Sequence, residues 1–375
     1  MNCKFVTNGI ALSYDHIVKP CCMFKHNNWD HTVYNTDLDN WFDSDAVRTI
    51  QEQLEQNIWP AECKWCEFQE SQGRGDSIRL GGESAYSHYG KDDITLELRP
   101  GNTCNFACQT CWPAASSRVS SYHKQAFGTK DIVSRRYDNF DFLNPIKHRL
   151  KDIILLGGEP FYDKNCLNFL SWIQSANLDA NLTLFTNGSM VDWEFVNNYT
   201  GKLTIVVSLD ARGQIAEYIR PGTDWNIVSN NYRKLKQTSR VNTRVNTRVN
   251  ITTSVYNYPF ISDLVEWLAN DWPEIVTFGM VSQSFLQECV VPKHCVEEII
   301  YRLEKTIGIV KNSDIEEHQI QNTVGALDTI ANNLQTVEFR NELHQDFVSY
   351  MDKLDLVKGM SGIDFDCYYE KIRIP

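Results

Sequence analysis

"GNTCNFACQTCW", residues 101–112, sets Cys104, Cys108 and Cys111 apart by gaps of three residues and then two. No fourth thiol lies close by, so the first question is which metal such a triad suits. A structural zinc site is closed by four protein ligands, and a catalytic one usually mixes in His or carboxylate. A four-iron cluster held by three thiolates instead keeps one iron open to a ligand that is not protein. The spacing alone leaves both readings standing, and the surroundings have to decide.

The triad follows a β-rich run, "ITLELR" (94–99), the first of six. The others are "DIILL" (152–156), "NLTLF" (181–185), "LTIVVSL" (203–209), "VNITTSV" (249–255) and "IVTFG" (275–279). Stretches with helical patterning lie between them, such as "NCLNFLSWIQSA" (165–176) and "FISDLVEWLAND" (260–271). Strands alternating with helices predict a parallel α/β sheet, either open and doubly wound or an incomplete barrel. The unusual residues all fall just past the runs. The cysteines follow the first, "GGEP" (Gly157–Pro160) the second and "TNG" (Thr186–Gly188) the third, while "SLDA" (Ser208–Ala211) closes the fourth. The carboxyl ends of parallel strands form the face that carries the active site in such folds.

In its cysteine spacing, followed by "GGEP" in that order, the chain resembles the radical S-adenosylmethionine (SAM) superfamily over roughly residues 91–280. The resemblance implies a partial (β/α)6 TIM-like barrel and a 4Fe-4S cluster on Cys104, Cys108 and Cys111. It also implies SAM as the ligand of the open iron, cleaved on reduction to methionine and a 5′-deoxyadenosyl radical that abstracts hydrogen from substrate. An electron donor such as flavodoxin or ferredoxin is implied with it. The chemistry of the motifs is compatible. The Gly157 and Gly158 backbone and the Glu159 carboxylate suit an ammonium group, since glycine lets the backbone approach closely. Pro160 is counted with them as cofactor-binding; the lesser reading of the motif is a plain turn before a helix, with Pro160 near the first helical turn. Ser208 and Asp210 look like a ribose-contacting strand end, or a structural cap. Arg220, in "EYIRPGTDW", resembles a position that pairs with the SAM carboxylate, a task that suits a planar guanidinium. Thr186, Asn187 and Gly188 are expected to shape the pocket floor. One departure stands out: where many members carry an aromatic residue before the third cysteine, this chain has Thr110, with Trp112 after it.

Residues 1–90 differ in character, with few apolar runs and further cysteines at Cys3, Cys21, Cys22, Cys63 and Cys66. Without context these read as a zinc ribbon. Beside a radical SAM core they resemble a twitch domain, a half-size relative of the SPASM auxiliary-cluster domain, placed before the barrel instead of after it. That resemblance implies a second 4Fe-4S cluster on Cys3, Cys21, Cys63 and Cys66, with Cys22 as the alternative to Cys21. Full ligation by four thiolates favours electron transfer over substrate binding. "SDAVRTIQEQLEQNI" (44–58) predicts one amphipathic helix there.

The remaining features set limits. At 375 residues the chain has room for two domains or one large barrel with additions. A net charge of −12 makes nucleic acid an unlikely default partner. No apolar run approaches the roughly 20 residues of a membrane helix, and "MNCKFVTNGIALSYDHIVKPCC" does not read as a signal peptide. Twelve cysteines, many clustered, in a chain read as cytoplasmic favour metal over disulfides. Cys166, Cys289, Cys295 and Cys367 are scattered; Cys289 and Cys295 read mainly as packing residues, with hydrogen donation to a substrate radical as the other use. "RVNTRVNTRVN" (240–250) reads as a duplicated insertion before the fifth strand, with Val241, Val245 and Val249 able to line one helical face.

The resulting expectation is a twitch-like domain (1–90), a radical SAM core (91–300) and a C-terminal helical extension (301–375). The substrate classes are a peptide first, then a small polar metabolite oxidised with the second cluster as electron acceptor. From another class, a zinc-binding interaction protein is the rival.

Overall fold

A computed structural model gives the structure of residues 1–25, 29–71, 77–130, 137, 139–270 and 276–360. Cys367 and the "GRG" turn (73–75) lie outside the described residues. The chain is a mixed α/β fold whose strands follow the sheet order β2-β1-β3-β4-β5-β6-β7-β8. From the third strand on, each new strand lies next to its predecessor without reversal. A doubly wound sheet would reverse at a switch point, so the order is that of the partial barrel. The backbone divides into two compact units.

Unit one comprises Met1–Asn102, Val133–Leu184 and Trp193–Leu203. Strand β1 (Gly9–Leu12) pairs antiparallel with β2 (Val18–Lys19) and parallel with β3 (Ile94–Leu98). Parallel pairing continues from β3 to β4 (Leu150–Leu155) and on to β5 (Asn181–Thr186). The register Gly9↔Thr95 to Leu12↔Leu98 carries the sheet across the division expected at residue 90. "GIAL" is too short to show alternation, and all four residues are buried because β3 lies beside them. The helix expected between the cysteine pairs is Asp45–Glu55, started by Ser44, whose hydroxyl accepts from Val47 N, and it buries Val47, Ile50 and Leu54.

Unit two comprises Thr103–Ile132, Phe185–Asp192 and Thr204–Pro375. It carries β6 (Leu203–Ser208), β7 (Val245–Thr253) and β8 (Val276–Met280), the last two parallel. Residues 245–250 of the repeat lie in the strand itself and not before it, and they form no helical face. A four-residue period is twice the two-residue period of a strand, so Val245, Thr247 and Val249 all point inward while Val241, at the end of the preceding helix, is 85% exposed. Helices Lys293–Lys311, Glu317–Thr336 and Asn341–Lys358 form the C-terminal part. They belong to the same unit as the triad, and the last buries Phe347, Met351 and Leu354. Among the described residues no helix is long and apolar enough to cross a membrane.

Candidate cluster-binding sites

The triad sits in unit two on an irregular loop whose backbone is tied down at both flanks of one residue. Ala107 N donates to Pro221 O and Gln109 N to Ile219 O, each at 2.8 Å, which leaves Arg220 held between the two bonds. Gly222 permits the approach. Its φ is +107°, and a Cβ there would meet Asn105 O at 2.8 Å. Ser116, capping the helix Ser117–Phe127, donates to Phe106 O, and Arg118 donates to Asn105 O. Phe106 N in turn donates to Cys104 Sγ at 3.4 Å. Cys104 is buried and the other two thiols are half-buried. Burial pushes the Cys111 thiol up to about 12; Cys108 and Cys104 act in the same direction and Arg220 opposes them. Buried thiols that repel one another as anions and face a cation are a donor set that gains from binding positive iron, because a ligand must lose its proton to bind.

Arg220 is the main cation of this loop. Its Nη1 donates to Asp210 Oδ2 at 2.8 Å. Burial works against the guanidinium charge, but Cys108, Asp210 and Cys104 together outweigh it and raise its pKa. Its Nε is a buried donor with no partner among the described residues. Asp210 is wholly buried, its Oδ1 accepting from Thr252 N at 2.8 Å and its backbone carbonyl from Asn257 Nδ2 at 3.0 Å. Both of its carboxylate oxygens are thus engaged by protein donors. Ser208, the last residue of β6, is half-buried.

The "TNG" loop braces the triad from behind. Asn187 Nδ2 donates to Asn105 Oδ1 at 2.8 Å, and Asn105 Nδ2 donates to Ser189 Oγ at 2.9 Å. Asn187 Oδ1 also accepts from Ser189 N, and Gly188 turns the chain with φ +74°. Asn187 therefore acts on the residue next to Cys104, a structural link that the sequence did not reveal.

Unit one holds "GGEP" directly after β4. Gly157 is glycine for packing, since a Cβ would lie 2.9 Å from Cys166 Sγ. Glu159 is 1% exposed and its Oε1 accepts from Phe161 N at 3.3 Å. Its carbonyl closes a turn with Tyr162 N and Asp163 N, so Pro160 occupies the second position of that turn. The next helix, Lys164–Ser175, starts later and is capped by Asp163.

The N-terminal cysteines form a cavity of their own in unit one. Cys3, Cys21, Cys63 and Cys66 line it together with apolar side chains that include Phe5, Phe24 and Trp59. Burial lifts the Cys3 thiol to about 11 and Cys63 to about 12, with neighbouring cysteines adding to each rise. Cys22 faces elsewhere. Burial raises it to about 12, Glu97 contributes, and Arg99 and Lys19 oppose. Four thiols around one apolar cavity fit a fully ligated cluster. Among the described residues no three His, Cys, Asp or Glu side chains converge tightly enough to hold a single ion.

Residues 101–230 match the family of 4Fe-4S single cluster domains. That span starts just before the triad and runs past Arg220. Among solved structures, the chain is similar to native anSMEcpe with bound AdoMet, at 14% identity over 56% of this chain and 61% of that one, TM-score 0.41. It is also similar to Streptococcus suis SuiB bound to S-adenosylmethionine, at 13% identity over 75% and 65%, TM-score 0.37. The chain thus spans about three fifths of the length of these structures. No curated protein matches it.

The triad loop also draws on residues that nothing in the sequence marks. Lys358 Nζ donates to Ala107 O at 3.1 Å and to Gln109 Oε1 at 2.6 Å. Gln109 Nε2 donates to Asp355 Oδ1 at 3.2 Å, and Tyr218 OH to Asp355 Oδ2 at 3.0 Å. Burial lowers the Lys358 ammonium to about 8, while Cys108, Asp355 and Cys111 act to raise it. Trp112 is 56% exposed. Cys289 and Cys295 are both buried, and the Cys289 thiol donates to Ser284 O at 3.4 Å.

Proposed function

We propose that this protein is a radical SAM enzyme that cleaves SAM reductively at a 4Fe-4S cluster on Cys104, Cys108 and Cys111 and abstracts hydrogen from a peptide. The observation that carries this is the triad loop, laced on both sides of Arg220 so that three thiols and one buried guanidinium share a fixed frame. Cys104, Cys108 and Cys111 would hold the cluster, which would supply the single electron that cleaves SAM to methionine and a 5′-deoxyadenosyl radical. Arg220, anchored by Asp210, has a spare Nε–H for the ligand's carboxylate. Asn187 fixes Asn105 and thereby the first turn of the loop. Phe106 N–H lowers charge on the Cys104 sulfur, a contact that tunes a cluster's potential. In this reading Ser208, in the same unit as the triad, contacts the ligand's ribose.

A second cluster on Cys3, Cys21, Cys63 and Cys66 is part of the proposal, and the shared cavity of these four thiols supports it. Ligation by all four thiolates would leave no iron open to substrate and would suit the site to electron transfer. The peptide rests on family resemblance alone.

The test is anaerobic purification with iron and sulfide analysis, followed by reduction in the presence of SAM. The expected result is brown protein with about eight iron and eight sulfide per chain, from two cubes, that forms 5′-deoxyadenosine. Replacing Cys104, Cys108 and Cys111 by Ala abolishes that product. Colourless protein holding about two zinc ions, or product that survives the triple replacement, overturns the reading. Deuterated peptides then test the substrate: label appearing in 5′-deoxyadenosine supports a peptide, and label from small polar metabolites instead replaces it.

A further inference from the structure

The helix Asn341–Lys358 ends at Gly359, whose φ of +66° closes it, and Lys358 is its last residue. A cation there is favoured by the helix dipole, yet this one is spent elsewhere. Its ammonium reaches the cysteine loop, on the Ala107 carbonyl and the Gln109 side chain, 251 and 249 residues away in sequence. Gln109 has no exposed surface and lies between Cys108 and Cys111. The helix engages its amide from both ends, since Lys358 takes the oxygen and Asp355 the nitrogen. Through Tyr218, Asp355 also holds the segment that leads to Arg220. A single helix end therefore grips both strands of backbone that frame the triad. The Lys358 charge stands within the electrostatic reach of Cys108 and Cys111.

We propose that the C-terminal helix is part of the triad's site, with Lys358 as a positioning residue that clamps the loop and favours the reduced cluster by its charge. This rests on the function proposed above. Reduction adds one electron, from a low-potential flavoprotein or ferredoxin or from dithionite in vitro, and breaks no bond. The added negative charge is stabilised by a nearby cation in a site where low dielectric strengthens the interaction. Arg220 contributes a second positive charge near the same thiols.

The experiment is an EPR-monitored redox titration of the full, reconstituted chain, following the signal that SAM perturbs. K358M is expected to weaken the reduction equilibrium about tenfold, a midpoint about 59 mV lower for a one-electron couple. K358R keeps the charge and is expected to stay close to the unsubstituted protein. Equal midpoints in K358M and in the unsubstituted chain overturn the proposal, as does an equal shift in K358M and K358R, which would mark a steric role without charge. If K358M does not take up the cluster, K358Q is titrated in its place and judged by the same outcomes. A different failure, in which the unsubstituted chain binds no 4Fe-4S cluster, removes the underlying functional reading instead.

Discussion

Arg220 and Asp210 form an ion pair at 2.8 Å in which the carboxylate side chain has no exposure and the guanidinium 13%. The pair joins the residue between the two backbone ties of the cysteine loop to the end of β6 and, through Thr252, to β7. Taking away one partner leaves a buried charge without compensation, which costs about 3–5 kcal/mol. D210A is expected to lower the unfolding free energy of the metal-free protein by that amount in urea titration. A loss below about 1 kcal/mol, the level of an exposed pair, would show that the guanidinium finds water instead.

Cys21 and Cys22 are neighbours in sequence that the fold sends to different environments. Cys21 lines the four-thiol cavity, whereas Cys22 meets Glu97. C21A is expected to drop iron from about eight to about four per chain, one four-iron cube, and C22A to leave it unchanged. Iron analysis with Mössbauer spectroscopy reads the difference. Loss of iron in C22A with none in C21A would transfer the ligand role to Cys22.

Much of the fold is legible in the sequence. The six β-rich runs all became strands because each is long enough to show its pattern, as "LTIVVSL" did for β6. The cysteine spacing and the place of "GGEP" after a run also survive in the fold. What escaped notice depends on partners far away in the chain. Strand β1 is four residues long and is made a strand by β3, more than eighty positions later. The repeat was ambiguous because a spacing of four suits one turn of helix nearly as well as two steps of strand. Lys358 and Asp355 sit in a polar helix with nothing local to mark them, and only folding brings them to Gln109. Asp210 and Arg220 were both singled out as ligand contacts, but their contact with each other is a tertiary fact.

Gly222 offers a test of how tightly the loop must pack. A side chain there would be strained at φ +107° and would press on Asn105 O at 2.8 Å, a backbone atom that cannot swing aside. Such strain costs on the order of 1–3 kcal/mol. G222A is expected to lose that much stability and to bind less iron at the triad, while the iron of the N-terminal cavity stays in place. Normal iron content and unchanged urea midpoint in G222A would mean that the loop can retreat from Gly222 at no cost.

Asp152 supplies a pH dependence free of any metal. It is half-buried in β4, and burial raises its carboxyl pKa although Asn181, donating at 3.1 Å, and the charges of His88 and Lys202 pull it down. A carboxyl whose folded pKa exceeds its unfolded value of about 3.9 binds its proton more tightly in the native state. Stability is then greatest below the unfolded pKa and declines as pH rises through the folded one, after which the cost stays constant. D152N removes that cost while keeping the shape. It is expected to raise stability near pH 7 by about 0.5 kcal/mol, the scale of substitutions away from the core, and to make no difference below about pH 3.5, under the unfolded value. Thermal melts of both proteins across this range decide the matter: a D152N protein less stable at neutral pH would mean that the Asn181 and Lys202 contacts outweigh burial and that the carboxylate supports the fold in its charged form.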